Sequence, residues 1–298
     1  MTESKFNIVV LLRETRDPNP PVRLTADGYG VRERGLRYLA NPADLAALEQ
    51  AMQLVEFGGG EVTLVAVGPQ RLDDILRLGL SYGAKRAIRV WDGHFQGADA
   101  AASAQVLGRI LEILAPDLVL TGSRLLDRGD DPALALAAAR QGLPCVNAAV
   151  EVLRKDQGLQ ILRKCDRGAR QKITASLPAA VLVEADSCEL RYPDQPAVMQ
   201  SLAAELEYWG RAELGLPVTD FGAGAALLDK GRCAFPRPNP QRTVTPDANL
   251  PAFERILALL SGGLKAREGK VHTLSVEQTV EQLMQIFAAE GLLGQSEQ

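Results

Sequence analysis

The sequence predicts an α/β fold: a doubly wound, mainly parallel sheet with a β-hairpin excursion and an extended C-terminal arm. Aliphatic runs of strand length alternate with helical patterns in the first half of the chain. This alternation is typical of parallel strands covered by helices on both faces. After Pro144 consecutive extended runs replace it, and residues 217–251 hold six prolines with little periodicity.

The clearest βα unit lies at residues 117–144. The β-branched run Asp117–Thr121 ends at Gly122, and an alanine-rich helix follows a polar turn. Asp131 is a natural N-cap, with Pro132 at the first helical position. Phosphates commonly bind at such a strand–turn–helix edge because free backbone N–H groups point outward there. Taken alone, the pattern also fits an ordinary βα unit without a ligand.

Hydrophobic spacing predicts the elements before this unit. Aliphatic runs predict buried strands, and apolar residues three or four positions apart predict helices. In chain order these are a strand at Phe6–Leu12, a helix after Asn41 that ends at Gly58–Gly60, a strand at Glu61–Val67, a helix at Gln70–Tyr82, a strand at Ala87–Trp91 and a helix at residues 100–115.

The second half predicts four extended runs and three helices. The strands are expected at Cys145–Leu153, Gln160–Lys164, Gln171–Ala175 and Ala179–Glu184, with a hairpin over residues 158–176. The helices are expected at about 200–209, 251–261 and 275–291. We expect an α/β nucleotide-binding-type domain at residues 1–200. Residues 201–298 are expected to be a Pro/Gly-rich arm with helices, since such a composition is typical of a linker or of a segment that contacts a partner subunit.

Composition narrows the class of function. The 33 Lys and Arg residues against 37 Asp and Glu give a net charge of −4, which argues against nucleic acid as the main partner. The sequence has no membrane-spanning apolar run and no secretory signal, so a cytoplasmic location is expected. Cysteines are widely spaced without a C-x-x-C pair, so we expect no metal site. Acid–base and nucleophilic groups are scarce, so we expect no catalytic residue, and a cofactor would carry any chemistry.

Several stretches, taken in order, resemble one family. They are the opening strand NIVVLLRETRDP, Asn41-Pro42-Ala43-Asp44 at a helix start, Gly68-Pro69 followed by LRLGLSYGAKRAIRV, and finally DLVLTGSRLLD, LPCV, the hairpin, LPAAVLVEAD and LRYPDQPAVM. In order and spacing they resemble the beta subunit of electron transfer flavoproteins, as a divergent member, over about residues 6–200. The resemblance implies a Rossmann-like fold of the adenine-nucleotide-binding type.

The resemblance also implies an electron carrier rather than an enzyme. Such a subunit forms a heterodimer with an alpha subunit, which holds most of the redox-active FAD, and itself holds AMP or a second FAD. Carried over residue by residue, the positions that would meet the nucleotide are Leu11, Asn41, Asp44, Val65, Ala66, Val67, Gly68, Gly122, Ser123, Arg124 and Asp127. Helix capping is the competing interpretation of Asn41 and Pro42.

The phosphate loop departs from the family. After Asp127 the family carries a Thr and a Gln, whereas this chain has Asp130 and Pro132, or Ala133 and Ala135, depending on the alignment. Asp130 and Asp131 place two carboxylates where phosphate oxygens would lie, and like charges repel. Pro132 removes one N–H donor. A forked contact from Arg124 or Arg128 would compensate.

The docking segment departs as well. By the resemblance, Arg191, Tyr192 and Gln195 belong to a loop that docks the redox partner, a dehydrogenase or a quinone-linked acceptor. Gln195 replaces an apolar anchor of the kind that dominates binding energy. The hairpin is basic and is either a solvated face or a surface for an acidic patch on a partner. Its cationic residues are Arg163, Lys164, Arg167, Arg170 and Lys172.

Three functions therefore stay open. The first is an electron transfer flavoprotein beta subunit that passes electrons from a dehydrogenase through an FAD held mainly by the alpha subunit. The second is a bifurcating-type subunit with its own FAD, which predicts two flavins per heterodimer. The third is a non-redox nucleotide-binding or scaffold paralogue, which predicts a complex without flavin.

Overall fold

A computed structural model describes residues 5–155, 158–217, 222–228, 231–235, 246–260 and 273–289. The chain divides into two compact units, Met1–Ala234 and Phe235–Gln298. Within the described residues, no helix combines the length and the apolar character needed to cross a bilayer.

The first unit is built on a nine-stranded sheet. Its strands in chain order are β1 (Asn7–Leu11), β4 (Glu61–Val67), β5 (Arg86–Val90), β6 (Leu118–Gly122), β9 (Cys145–Lys155), β10 (Gly158–Lys164), β11 (Arg170–Ser176), β12 (Ala179–Val183) and β13 (Glu207–Trp209). Two small antiparallel pairs lie in loops: β2 (Glu14–Arg16) with β3 (Tyr38–Ala40), and β7 (Arg124–Leu125) with β8 (Gly129–Asp130).

The spatial order of the sheet is β11-β10-β9-β12-β6-β1-β4-β5-β13. Every neighbouring pair from β9 to β13 is parallel, whereas β10 is antiparallel to both β9 and β11. The expected mainly parallel sheet with a hairpin is therefore confirmed. From β1 the chain builds through β4 and β5 on one side and then crosses back to place β6 and β12 on the other. The carboxyl ends of β1 and β6 thus mark the topological switch point, where such sheets bind ligands.

Helices cover both faces of the sheet. Those of the first unit are α1 (Pro42–Gly58), α2 (Asp73–Ser81), α3 (Ala100–Leu114), α4 (Ala133–Arg140), α5 (Gln195–Ala203) and α6 (Arg211–Leu214). Ile8 and Val10 point into the core beneath α1 and α2, while Val9 and Leu11 point into the core beneath α3 and α4. Both faces of β1 are buried, which explains its continuous aliphatic run.

The second unit contributes two described helices, α7 (Ala252–Leu260) and α8 (Val276–Ala289). Both lie where hydrophobic spacing predicts them. Most of their large apolar side chains are exposed, among them Phe253 on α7 and Val280 on α8.

The helix expected at residues 200–209 is wrong in position. α5 begins earlier because the Asp194 carboxylate accepts a hydrogen bond from the Ala197 backbone N–H at 2.7 Å and caps the helix. Glu207–Trp209 is instead a strand that pairs with β5 and closes that edge of the sheet.

Candidate functional site

The switch point brings β1, β6 and the first turn of α1 into direct contact. The Thr121 hydroxyl lies 3.2 Å from both the Leu11 carbonyl oxygen and an Asp44 carboxylate oxygen. The Gly122 backbone N–H donates to the same Asp44 oxygen at 2.7 Å. Three of the positions expected at a nucleotide, Leu11, Asp44 and Gly122, therefore meet at one edge.

Gly122 is required by the close approach of α1. A Cβ built at this residue would lie 2.4 Å from the Ala43 Cβ and 2.7 Å from an Asp44 carboxylate oxygen. Real Cβ atoms do not approach so closely, so any other residue would force α1 away from β6. At Gly68, directly after β4, a built Cβ would lie 2.3 Å from Cδ1 of Leu72, the flexible end of a side chain that can shift.

Asp44 is fully buried and joins the elements of this edge. Besides Thr121 and Gly122, it accepts three hydrogen bonds from Arg13: from the backbone N–H at 2.8 Å, from Nε at 3.1 Å and from Nη2 at 2.6 Å. A buried carboxylate is stable only when it is paired and hydrogen-bonded. All of these partners belong to the chain itself.

Arg13 is a residue of this edge that the sequence analysis did not identify. Its Nη2 also donates to the Gly122 carbonyl oxygen at 2.7 Å, and its Nη1 donates to an Asp131 carboxylate oxygen at 3.1 Å. Burial alone lowers the pKa of the guanidinium, but Asp44 and Asp131 outweigh it and leave the pKa raised. The available signal was its place, a charged residue directly after a buried strand at the switch point.

The Asn41 side chain holds a loop rather than capping α1. Its amide nitrogen donates to the Arg124 carbonyl oxygen at 2.8 Å, and its amide oxygen accepts from the Leu126 backbone N–H at 3.3 Å. Asn41 is nevertheless the N-cap residue of α1, with Pro42 at the first helical position, and its carbonyl oxygen accepts from the Asp44 and Leu45 backbone N–H groups at 3.0 and 3.1 Å. Among the described residues its side chain makes no capping bond to α1. Asn41 and Arg124, both expected at the nucleotide, are thus in contact with each other.

Two further expected positions are tied to neighbouring loops. The Asp127 carboxylate accepts from the Thr15 hydroxyl at 3.0 Å, and the Asp127 backbone N–H donates back to that hydroxyl at the same distance. The Ser123 hydroxyl donates to the Glu184 carboxylate at 2.7 Å. Thr15 and Glu184 are contacts that the sequence pattern did not predict.

The remaining expected positions lie at the end of β4. Val65 and Ala66 are buried, and the Val65 carbonyl oxygen accepts from the Leu12 backbone N–H at 2.9 Å. The strand ends at Val67, and the Gly68 backbone N–H donates to the Val90 carbonyl oxygen at 3.0 Å. These residues therefore form the neighbouring strand end at the same edge of the sheet.

The turn before α4 does not fit a bound phosphate. α4 begins at Ala133, one residue later than expected, and Pro132 has no N–H to offer. The Ala133 backbone N–H already donates to an Asp131 carboxylate oxygen at 3.1 Å. Because the other Asp131 oxygen binds Arg13, this carboxylate uses both kinds of donor that would hold a phosphate. The side chain of Asp130 lies outside what the structure describes.

The three expected docking residues follow β12 in the chain, and Arg191 joins this segment to α1. Arg191 binds Glu49 through Nε at 2.8 Å and also binds Glu56. Both carboxylates raise the Arg191 pKa, and this pairing outweighs burial to lower the pKa of Glu49. Tyr192 follows with 98% of its surface exposed, and Gln195 is the exposed first residue of α5.

Within the described ranges, no group of three or more His, Cys, Asp or Glu side chains is placed to hold a metal ion.

Comparison with known proteins identifies the family. Residues 30–214 match the family described as "Electron transfer flavoprotein domain". The chain is 28% identical to the electron transfer flavoprotein subunit beta of Methylophilus methylotrophus over 235 residues, which cover 78% of this chain and 89% of the relative. It is 27% identical to protein FixA of Sinorhizobium fredii over 286 residues, covering 92% and 99%. It is 30% identical to protein FixA of Azotobacter vinelandii over 243 residues, covering 78% and 85%. The chain belongs to the electron transfer flavoprotein family.

Proposed function

We propose that the chain is the beta subunit of a heterodimeric electron transfer flavoprotein. Electrons would pass from a dehydrogenase, or to a quinone-linked acceptor, through an FAD held mainly by the alpha subunit. The family match supports this role, as does the relative named subunit beta, which aligns over 78% of this chain. The flavin supplies the redox chemistry, and the beta subunit supplies binding surfaces.

The observation that carries the proposal is a set of exposed apolar side chains on α5 and just before it. Met199 and Leu202 on the helix are 61% and 59% exposed, and Tyr192, three residues before the helix begins, is 98% exposed. Met199 and Leu202 are three residues apart on one helix face. Exposed apolar and aromatic side chains of this kind mark interaction sites. We call these three residues the α5 surface.

Ion pairs and hydrogen bonds hold the α5 surface in place. Arg191 binds Glu49 and Glu56 of α1 just before Tyr192. At the other end of the helix, Arg77 Nη1 donates to the carbonyl oxygens of Ser201 and Leu202 at 2.9 and 2.8 Å. A surface fixed at both ends loses little conformational freedom on binding, which favours affinity. We propose that it takes over the docking role of the apolar anchor that Gln195 replaces.

The C-terminal arm, residues 201–298, is proposed to contact the alpha subunit. α7 exposes Phe253, Ile256 and Leu260, and α8 exposes Val280 and Leu283. The spacings of three and four residues place these side chains on one face of each helix. Apolar helix faces of this kind are stable in water when a partner covers them.

Co-expression with the alpha subunit tests the proposal directly. The purified complex should contain one FAD per heterodimer, measured by liquid chromatography with mass detection after denaturation. Two flavins per heterodimer would favour the bifurcating alternative, in which this subunit has its own FAD. A stable complex without flavin would overturn the electron-transfer proposal, and so would a chain that does not bind the alpha subunit.

A further inference from the structure

The structure assigns to Asp131 the place of a nucleotide phosphate. We propose that this carboxylate is a built-in anion at the switch point, so that the subunit is complete without AMP or a second FAD. The inference rests on the proposed function for the expectation that a nucleotide would bind here and for the alpha subunit used in its test.

The first argument is the set of donors that Asp131 uses. One carboxylate oxygen accepts from the Ala133 backbone N–H, at the start of α4, at 3.1 Å. The other accepts from Arg13 Nη1, also at 3.1 Å. A helix N-terminus and an arginine are the two groups that proteins use most readily to bind phosphate. Here one side chain of the chain itself satisfies both.

The second argument is charge. Arg13 is shared between Asp44 and Asp131, so this cluster of one guanidinium and two carboxylates has a net charge of −1. A phosphate monoester adds a charge of about −1.5 to −2 at pH 7. Because the cluster has already neutralised Arg13, a phosphate placed beside it would meet repulsion. Asp44, which is buried, cannot move away to release the guanidinium.

The third argument is access. The side chains of Arg13 and Asp131 are 20% and 22% exposed, so solvent anions reach the pair. Removing the Asp131 carboxylate would leave Arg13 held by Asp44 and the Ala133 N–H free. The variant would therefore have an open anion site with the donors already in position.

The competing explanation is that Asp131 only holds the turn before α4, through its hydrogen bond from the Ala133 backbone N–H. Both explanations predict that Asp131→Ala lowers stability, because a lost side-chain hydrogen bond to the backbone also costs stability. Only the built-in anion predicts that the variant gains affinity for added anions. Anion binding is therefore the readout that distinguishes them.

The experiment uses the heterodimer with its alpha subunit. Wild type, Asp131→Ala and the control Asp186→Ala are each heated with and without AMP, and separately with inorganic phosphate. Asp186 matches the change in charge and also loses an ion pair, to Lys164 at 3.2 Å, but lies on the hairpin side of the sheet. We expect AMP and phosphate at saturating concentration to raise the Tm of Asp131→Ala by about 4 °C or more. The Tm of wild type and of Asp186→Ala should not change.

The small molecules released from wild type complete the test. FAD without AMP supports both the inference and the proposed function. AMP or a second FAD in stoichiometric amount would overturn the inference while leaving the proposed function intact. An Asp131→Ala heterodimer whose Tm changes with neither AMP nor phosphate would also overturn the inference.

If that variant does not fold, Asp131→Asn keeps an acceptor for the Ala133 N–H but removes the charge, and the same measurements of Tm with AMP and with phosphate test the inference. Absence of FAD overturns the proposed function alone.

Discussion

At the carboxyl edge of the sheet, charged side chains pair with one another: Arg13 lies between Asp44 and Asp131, and all three belong to this chain. Next to the α5 surface, Arg191 is also paired within the chain, and the neighbouring Tyr192 side chain is almost fully exposed. At the carboxyl edge, the ion pairs join charged side chains of this chain to one another. Beside the α5 surface, similar ion pairs adjoin apolar side chains that are exposed to solvent. Ion pairs alone therefore do not reveal a binding site, because the use of a surface depends on which side chains the ion pairs hold in place.

We expect the largest loss of stability from a substitution in the first region, at Asp44. Asp44→Ala leaves the guanidinium of Arg13, whose side chain is 20% exposed, without its main partner. Removing one member of a buried ion pair costs about 3–5 kcal/mol of unfolding free energy, measured by urea denaturation. Asp186→Ala, which breaks an exposed pair, should cost about 1 kcal/mol or less. Equal losses in the two variants would contradict the central role of Asp44.

A smaller loss is expected from Gly122→Ala. The added methyl group would overlap Ala43 at 2.4 Å and force α1 to shift. Overpacking of this kind costs about 1–3 kcal/mol, measured by the urea midpoint. The control is Gly93→Ala, where nothing lies within 4 Å of the added Cβ. If Gly122→Ala is no less stable than this control, α1 does not approach β6 as described.

The α5 surface should respond in binding rather than in stability. Tyr192→Ala and Met199→Ala should each weaken binding of the redox partner about tenfold, or about 1.4 kcal/mol, because both side chains are exposed and apolar. Surface plasmon resonance against that partner measures the change. Phe57→Ala is a matched control, since Phe57 is 93% exposed at the end of α1 and lies outside the α5 surface. A similar loss in the control would remove the special role of α5.

The smallest expected effect is a dependence of stability on pH. Burial raises the pKa of Glu49, but hydrogen bonds from Arg191 outweigh it, so the pKa is lowered in the folded chain. A lowered folded pKa gives stability that is present above the unfolded value, about 4.3 for Glu, and is lost as pH falls through the folded pKa. Glu49→Gln should therefore lose less stability than wild type between about pH 5 and pH 3. If the urea midpoints of the two proteins fall by the same amount over this pH range, Arg191 does not stabilise the Glu49 carboxylate.

Local patterns predicted most of the fold. The aliphatic runs that became β1, β4, β6 and β12 are nearly continuous because both faces of these strands are buried. The strand β13 could not be predicted, since three residues carry no readable period and pairing with β5 alone fixes their conformation. The start of α5 depends on the cap formed by Asp194, a local signal that the hydrophobic spacing used to predict a helix at residues 200–209 does not contain.

The sequence allowed the expected positions at this edge to be chosen, but not the contacts among them. Asn41, Asp44 and Gly122 were selected from the resemblance, and the structure brings all three to one edge. The role of Arg13 was hidden because its partner Asp131 lies 118 residues away, and no local pattern encodes so distant a contact. The same holds for Asn41, whose amide binds a loop 83 residues away instead of its own helix.

The two borders of the sheet also protect it from aggregation. β13 covers the edge of β5, with the Arg86 guanidinium bound to Glu207 at 2.7 and 2.8 Å. At the opposite border β11 is the outermost of the nine described strands, and it carries exposed cations at Arg170 and Lys172. Like charges on an outer strand disfavour its pairing with the same strand of a second copy. The basic hairpin thus disfavours edge-to-edge association between copies of this chain.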